Sequence, residues 1–228
     1  MSILSFLDYA GVAVFAATGA LSASRKQLDI IGYLFFGAVT GIGGGTLRDL
    51  ILGQAPVFWV RDPTYLVITT GAAIAVFLSA NRFESRYRLL LWLDAAGLAL
   101  FCVMGAEKGL AATGSPLLAL VTGILTATFG GILRDLLAGE PSVLLRPEIY
   151  VSAALAGSLV FVISHALGAE PWLASLIGTL AAFLVRGGAL RFGWTLPRGK
   201  AKPGRDPDVV MPPRRRDRKA ASDFLEKN

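Results

Sequence analysis

Two stretches of this 228-residue chain carry the same string of chemistry-bearing residues. One runs Gly44-Gly45-Thr46-Leu47-Arg48-Asp49-Leu50, the other Gly130-Gly131-Ile132-Leu133-Arg134-Asp135-Leu136. Each sets a cation and an anion beside glycines within apolar surroundings. Glycine costs about 1 kcal/mol per helix position relative to alanine, so Gly43, Gly44 and Gly45, and again Gly130 and Gly131, favour a helix break. A break frees backbone carbonyls, which hydrocarbon tolerates only against protein or a water-filled path. Such carbonyls are what a weakly selective cation path needs. The competing reading is that the glycines only let helices pack closely, as small residues do in membranes. The hydroxyls of Thr40, Thr46, Thr122, Thr126 and Thr128 could line a polar route, or bond to their own helix backbone.

The charges need partners at such depth. Arg48 and Asp49 are adjacent, so on a regular helix they point about 100° apart and do not face each other; the same holds for Arg134 and Asp135. Depth points instead to Asp8 for Arg48 and Asp94 for Arg134, direct or through one water, with both pairs or neither expected. The glycine run superficially resembles a dinucleotide loop, but no strand precedes it. No nucleophile, acid–base constellation, structural metal site or cofactor motif is evident, so no enzyme is read. His165 is the only histidine, and the single Cys102 permits no internal disulfide.

These residues belong to a duplication. An offset of 86 places Asp8 on Asp94, Gly11 on Gly97, Phe15 on Phe101, Gly19-Ala20 on Gly105-Ala106 and Gly53 on Gly139. Seven apolar stretches are long enough, or nearly so, to cross a bilayer: 3–24, 28–52, 64–80, 89–107, 114–138, 149–167 and 171–190. The third is short and the seventh carries Arg186. Three helices per unit is odd, so the second unit enters from the opposite side. The expected fold is all-α and polytopic: seven transmembrane helices in two inverted three-helix repeats, 3–80 and 89–167, plus an extra helix at 171–190. A soluble reading fails because such helices would have no water-facing side.

Hydrophobic residues make up 54% and charged residues 17% of the chain, against roughly 25% charge in soluble domains. Residues 1–190 carry 11 basic and 11 acidic side chains, so the net +6 resides in 191–228. That tail is expected to be largely disordered and cytoplasmic, a solvated segment that fixes topology, with contact to anionic lipid or a regulatory role as the alternatives. Without zinc spacing or an aromatic-interleaved basic surface, no nucleic-acid partner is read. One set of connectors receives Arg25, Lys26, Arg82, Arg86, Arg88, Arg146 and the tail, the other only Arg61 and Lys108. The positive-inside rule then puts the amino terminus outside and the carboxyl terminus in the cytoplasm.

The duplicated Gly-Gly-x-Leu-Arg-Asp element, with Asp8 and Asp94 opening the repeats and Pro56 and Pro141 beyond them, resembles the bacterial trimeric intracellular cation channels over about residues 3–190. The second copy departs in having Phe129 where the first has Gly43. The resemblance implies a homotrimer in the bacterial inner membrane, with a pore in each subunit between the kinked second and fifth membrane helices. It implies permeant K+ or Na+ rather than a bound cofactor, and a potassium-permeable channel. Some members of this family are described as glycine transporters, so a secondary transporter of a small solute stays open.

Overall fold

The computed structural model describes residues 3–80, 85–145 and 148–197. The tail from 198, and Arg82 and Arg146 of the orientation argument, lie outside them. Eight helices follow in order: α1 (Ile3–Arg25), α2 (Ile30–Ile51), α3 (Phe58–Arg61), α4 (Thr64–Ser79), α5 (Arg86–Thr113), α6 (Pro116–Leu137), α7 (Val151–Ala166) and α8 (Pro171–Phe192), with a 3-10 turn at Val143–Leu145. All but α3 correspond to the seven expected spans. Five are long and apolar enough to cross a bilayer, and α4 and α7 are shorter apolar helices at the same place in each repeat.

Local chemistry sets the ends. Asp29 caps α2, its carboxylate accepting from Gly32 N–H at 2.8 Å, as acidic N-caps do for orphan amides. Ser115 and Pro116 start α6 in the same way. Gly114 (φ 66°) ends α5 and Gly193 (φ 70°) ends α8, both in the left-handed conformation glycine adopts without strain. Residues 108–113 were expected as a connector. They instead extend α5 by more than a turn, because nothing before Gly114 stops the helix.

The helices that open the repeats form the centre: the apolar windows of α1 and α5 are 61% and 67% buried, against 39–44% for α2, α6 and α8. Within each repeat the first helix packs on the second, and across repeats α1 packs on α5 and α2 on α6. The outward faces are apolar too. Leu155, Leu159 and Ile163 form an exposed stripe on α7, as do Leu173, Leu176, Ile177, Leu180 and Leu184 on α8. Such a surface suits lipid, not water, and the chain is a polytopic membrane protein.

Ion pairs at the ends report the inversion. Arg25, which ends α1, meets Glu140, which follows α6, at 3.1 Å. The end of the first helix of one repeat thus lies beside the end of the second helix of the other. Arg186 is 1% exposed and pairs with Glu148 at 2.7 Å while donating to Ile149 O at 3.1 Å. That accounts for a charge inside α8.

Candidate functional site

The site grows from the crossing of α2 and α6. A Cβ at Gly44 would run into the carbonyl oxygen of Thr126, and one at Gly130 into that of Thr40. These contacts exchange under the offset of 86, so the duplication is also a spatial two-fold. The first helices join it: a Cβ at Gly19 would meet Thr40 Oγ1 at 2.5 Å, and one at Gly105 would meet Thr126 Oγ1 at 2.6 Å. Thr40 is therefore held between Gly19 and Gly130, and Thr126 between Gly105 and Gly44.

The glycines do not break the helices as expected. Both α2 and α6 run unbroken through Gly43–Gly45 and Gly130–Gly131. Close approach decides this: a Cβ at Gly43 would meet Leu133 at 2.8 Å, one at Gly45 the Phe58 ring at 2.6 Å and one at Gly131 Tyr150 Oη at 2.7 Å. Contacts available only without a side chain offset the propensity cost of about 1 kcal/mol per glycine. The threonine hydroxyls largely serve the backbone. Thr46 donates to Ile42 O at 2.8 Å, Thr126 to Thr122 O at 2.6 Å, Thr128 to Ile124 O at 2.8 Å and Thr122 to Gly105 O at 3.0 Å. Thr40 Oγ1 alone of the five is buried without a partner.

One charge cluster lies on each side of the crossing. On a helix rising 1.5 Å per residue, Arg48 and Arg134 each sit about 9 Å from its centre, in opposite directions. Both are 2% exposed. Each folds back on the neighbouring aspartate, which the 100° argument excluded. Arg48 Nε and Nη2 approach Asp49 Oδ1 at 2.8 and 2.7 Å; Arg134 Nε and Nη2 approach Asp135 Oδ1 at 3.0 and 2.9 Å. The angular rule describes Cβ directions, and a long guanidinium arm can curl back where apolar surroundings leave no better acceptor. The other carboxylate oxygen of each pair accepts a backbone N–H from the next segment, Phe58 at 2.8 Å for Asp49 and Val143 at 3.1 Å for Asp135.

Here the symmetry ends. Arg134 Nη1 meets Asp94 Oδ1 at 2.6 Å, so that expected pair exists, and Thr18 Oγ1 lies 3.3 Å away. Asp8 and Arg48 make no direct contact. Asp8 Oδ2 instead receives Lys108 Nζ at 2.6 Å and the Tyr65 hydroxyl at 2.8 Å. Lys108 has Ser22 as its counterpart in the first repeat, so the repeat supplies no matching lysine to the Asp94 cluster. As direct contacts, one expected pair forms and the other does not.

The Arg48 guanidinium lies 5.5 Å and the Lys108 ammonium 5.8 Å from the Phe58 ring centroid, near enough for the ring to attract both cations. Sequence reasoning missed Phe58, Tyr65, Lys108 and Tyr150. A shared signal existed, since Asp62-Pro63-Thr64-Tyr65 and Pro147-Glu148-Ile149-Tyr150 both place a tyrosine soon after a proline. Just outside the first cluster, the Tyr9 hydroxyl donates to Asp62 at 2.6 Å. With Thr64, it holds that carboxyl below the usual aspartate range. In the second cluster Tyr150 Oη and Asp94 Oδ2 are buried without partners, and Tyr150 carries the Arg186 guanidinium over its ring at 5.1 Å. Formally the second core of Arg134, Asp94 and Asp135 is net negative. The first, Arg48, Asp49, Asp8 and Lys108, is balanced.

The family profile described as "Glycine transporter" matches residues 5–81 and 91–166, one segment per repeat. The UPF0126 inner membrane protein YadS of Escherichia coli (strain K12) is 40% identical over 200 residues, 86% of this chain and 95% of that one. A UPF0126 membrane protein of Vibrio cholerae is 40% identical over 197 residues, 86% and 82% of the two chains. Among solved structures, the TRIC trimeric intracellular cation channel orthologue from Rhodobacter sphaeroides is 52% identical with a TM-score of 0.83, covering 85% of this chain and all of that one. With the duplicated signature meeting across α2 and α6, these likenesses establish that the chain belongs to the trimeric intracellular cation channel family.

Proposed function

We propose that the chain is a monovalent-cation channel, permeable to potassium, with a path through each subunit along the α2–α6 crossing. The observation that carries the reading is the pair of buried Arg–Asp clusters flanking the Gly44–Thr126 and Gly130–Thr40 contacts from opposite sides. A row of charged and polar groups on both sides of a narrow, small-residue contact is costly in a membrane and marks a path for ions. Each arginine is matched by carboxylate, so neither cluster presents a bare positive charge to a cation. The unpartnered Asp94 Oδ2 adds an acceptor to the net-negative cluster. The Gly–Thr contacts are too close to pass an ion, so conduction requires α2 and α6 to separate there.

The trimer and the inner membrane named for the relatives support a homotrimer in a bacterial inner membrane. The connector charges Arg25, Lys26, Arg86 and Arg88 favour a topology with the amino terminus outside and the carboxyl terminus in the cytoplasm. The family description favours a second reading, a secondary transporter of glycine, since inverted repeats serve transporters equally well. Purified protein in potassium-loaded liposomes separates the two. Stepwise potassium currents without glycine support the channel; saturable, ion-gradient-driven glycine uptake without discrete currents would sink it.

A further inference from the structure

Where α5 begins and α8 ends, two cavities adjoin and share Trp92 and Arg191 as walls. The first, about 660 Å³, is bordered by Ser85, Tyr87, Arg88 and Arg191. The second, about 310 Å³, is an apolar groove along the last turns of α8, walled by Phe183, Leu184, Phe192 and Trp194. Two glycines shape it. A Cβ at Gly187 would lie 3.2 Å from the Trp92 ring, and one at Gly188 would lie 2.7 Å from the Trp194 ring. Both indoles therefore lie against bare backbone and keep the groove open.

The charges at the polar end meet no carboxylate among the described residues. Neither Arg88 nor Arg191 forms an ion pair with any described residue, although Arg25, Lys26 and Arg186 nearby all find carboxylates. A third cation, Arg25, stacks on the outer Tyr87 ring at 4.6 Å. Trp92 and Trp194 are 38% and 49% exposed at the end of a membrane span, the depth at which indoles sit between headgroups and acyl chains.

We propose that this paired cleft and groove is a binding site for one anionic phospholipid. The phosphate lies between Arg88 and Arg191, and an acyl chain runs along the Trp92–Trp194 groove of α8. The occupant must be amphipathic because the two compartments are continuous and of opposite character. It must be anionic because the polar one offers two guanidiniums that no described carboxylate neutralises. The site does not depend on the permeation reading.

Tryptophan quenching tests it in the full chain. Trp59→Phe and Trp172→Phe leave Trp92 and Trp194 as the reporters among four tryptophans. The protein is placed in phosphatidylcholine vesicles containing a fixed fraction of chain-brominated phosphatidylglycerol or of chain-brominated phosphatidylcholine. The expected result is preferential quenching by the glycerol lipid, on the order of five-fold in apparent affinity per arginine. The preference should vanish with Arg88→Gln and Arg191→Gln and survive with Arg88→Lys and Arg191→Lys, helicity being unchanged. Equal quenching by the two lipids would overturn the proposal. So would quenching by neither, the mark of a groove covered by protein. A preference abolished by millimolar inorganic phosphate would assign the cleft to a free anion and overturn it as well.

Discussion

Asp8 and Asp94 occupy matching places in the repeats, yet removing their charges should have unequal effects. Asp94→Asn breaks a 2.6 Å contact between groups whose side chains are 1% and 2% exposed. Breaking a buried pair costs about 3–5 kcal/mol, because the surviving charge is left uncompensated. Arg134 keeps its two contacts with Asp135 Oδ1, so the lower end, about 3 kcal/mol, is expected. Asp8→Asn leaves Lys108, whose side chain is 28% exposed, free to reach water. The Tyr65 hydroxyl can still donate to the amide oxygen, so the loss should be about 1 kcal/mol, as for partly solvated pairs. Reversible unfolding in mixed micelles, with Arg134→Gln completing a double-mutant cycle, measures both. A loss for Asp8→Asn equal to or greater than that for Asp94→Asn would refute the assignment of partners. So would zero coupling between Asp94 and Arg134.

The glycines give a second contrast: Gly44→Ala drives a methyl into the Thr126 carbonyl and should destabilise by about 1–3 kcal/mol. Gly71, mid-helix in α4 with open space around it, should gain about 0.5–1 kcal/mol as alanine. Melting of the two variants checks both, and equal effects would contradict the packing role. Burial pushes the Glu140 carboxyl up, but the hydrogen bond and charge of Arg25, with Lys26, hold it below the ordinary glutamate value. A depressed pKa contributes stability that is full above the unfolded value and is lost as pH falls through the folded one. The melting difference between wild type and Glu140→Gln should therefore be constant near neutrality and shrink below about pH 4; a difference that grows on acidification would reverse the sign.

Much of the fold was legible because Gly-Gly-x-Leu-Arg-Asp-Leu recurs intact, and a recurrence that long fixes register, inversion and the helices that meet. Span ends were legible near the caps Asp29 and Ser115, and were missed at Lys108, where a charged pair, Glu107-Lys108, reads as a connector but the helix runs on to Thr113. The glycines were ambiguous in principle. The same residue weakens an isolated helix and permits helices to touch, and only the Thr126 and Thr40 carbonyls opposite decide between these. The partners of the charges were half legible. Asp94–Arg134 follows from the repeat, but Lys108 lies outside the matched positions and claims Asp8. The Arg48–Asp49 contact depends on a side-chain rotamer, which spacing alone does not specify.

The central claim is that cations pass the Gly–Thr crossing of α2 and α6. Thr126→Cys in a Cys102→Ala background leaves one thiol at that crossing, Cys102 being the only native cysteine. Potassium current across a planar bilayer is then followed during exposure to a small cationic methanethiosulfonate. The account predicts that the thiol reacts while current flows and that the current falls as it does. Current that persists unchanged after complete labelling, or that flows while the thiol never reacts, would contradict it.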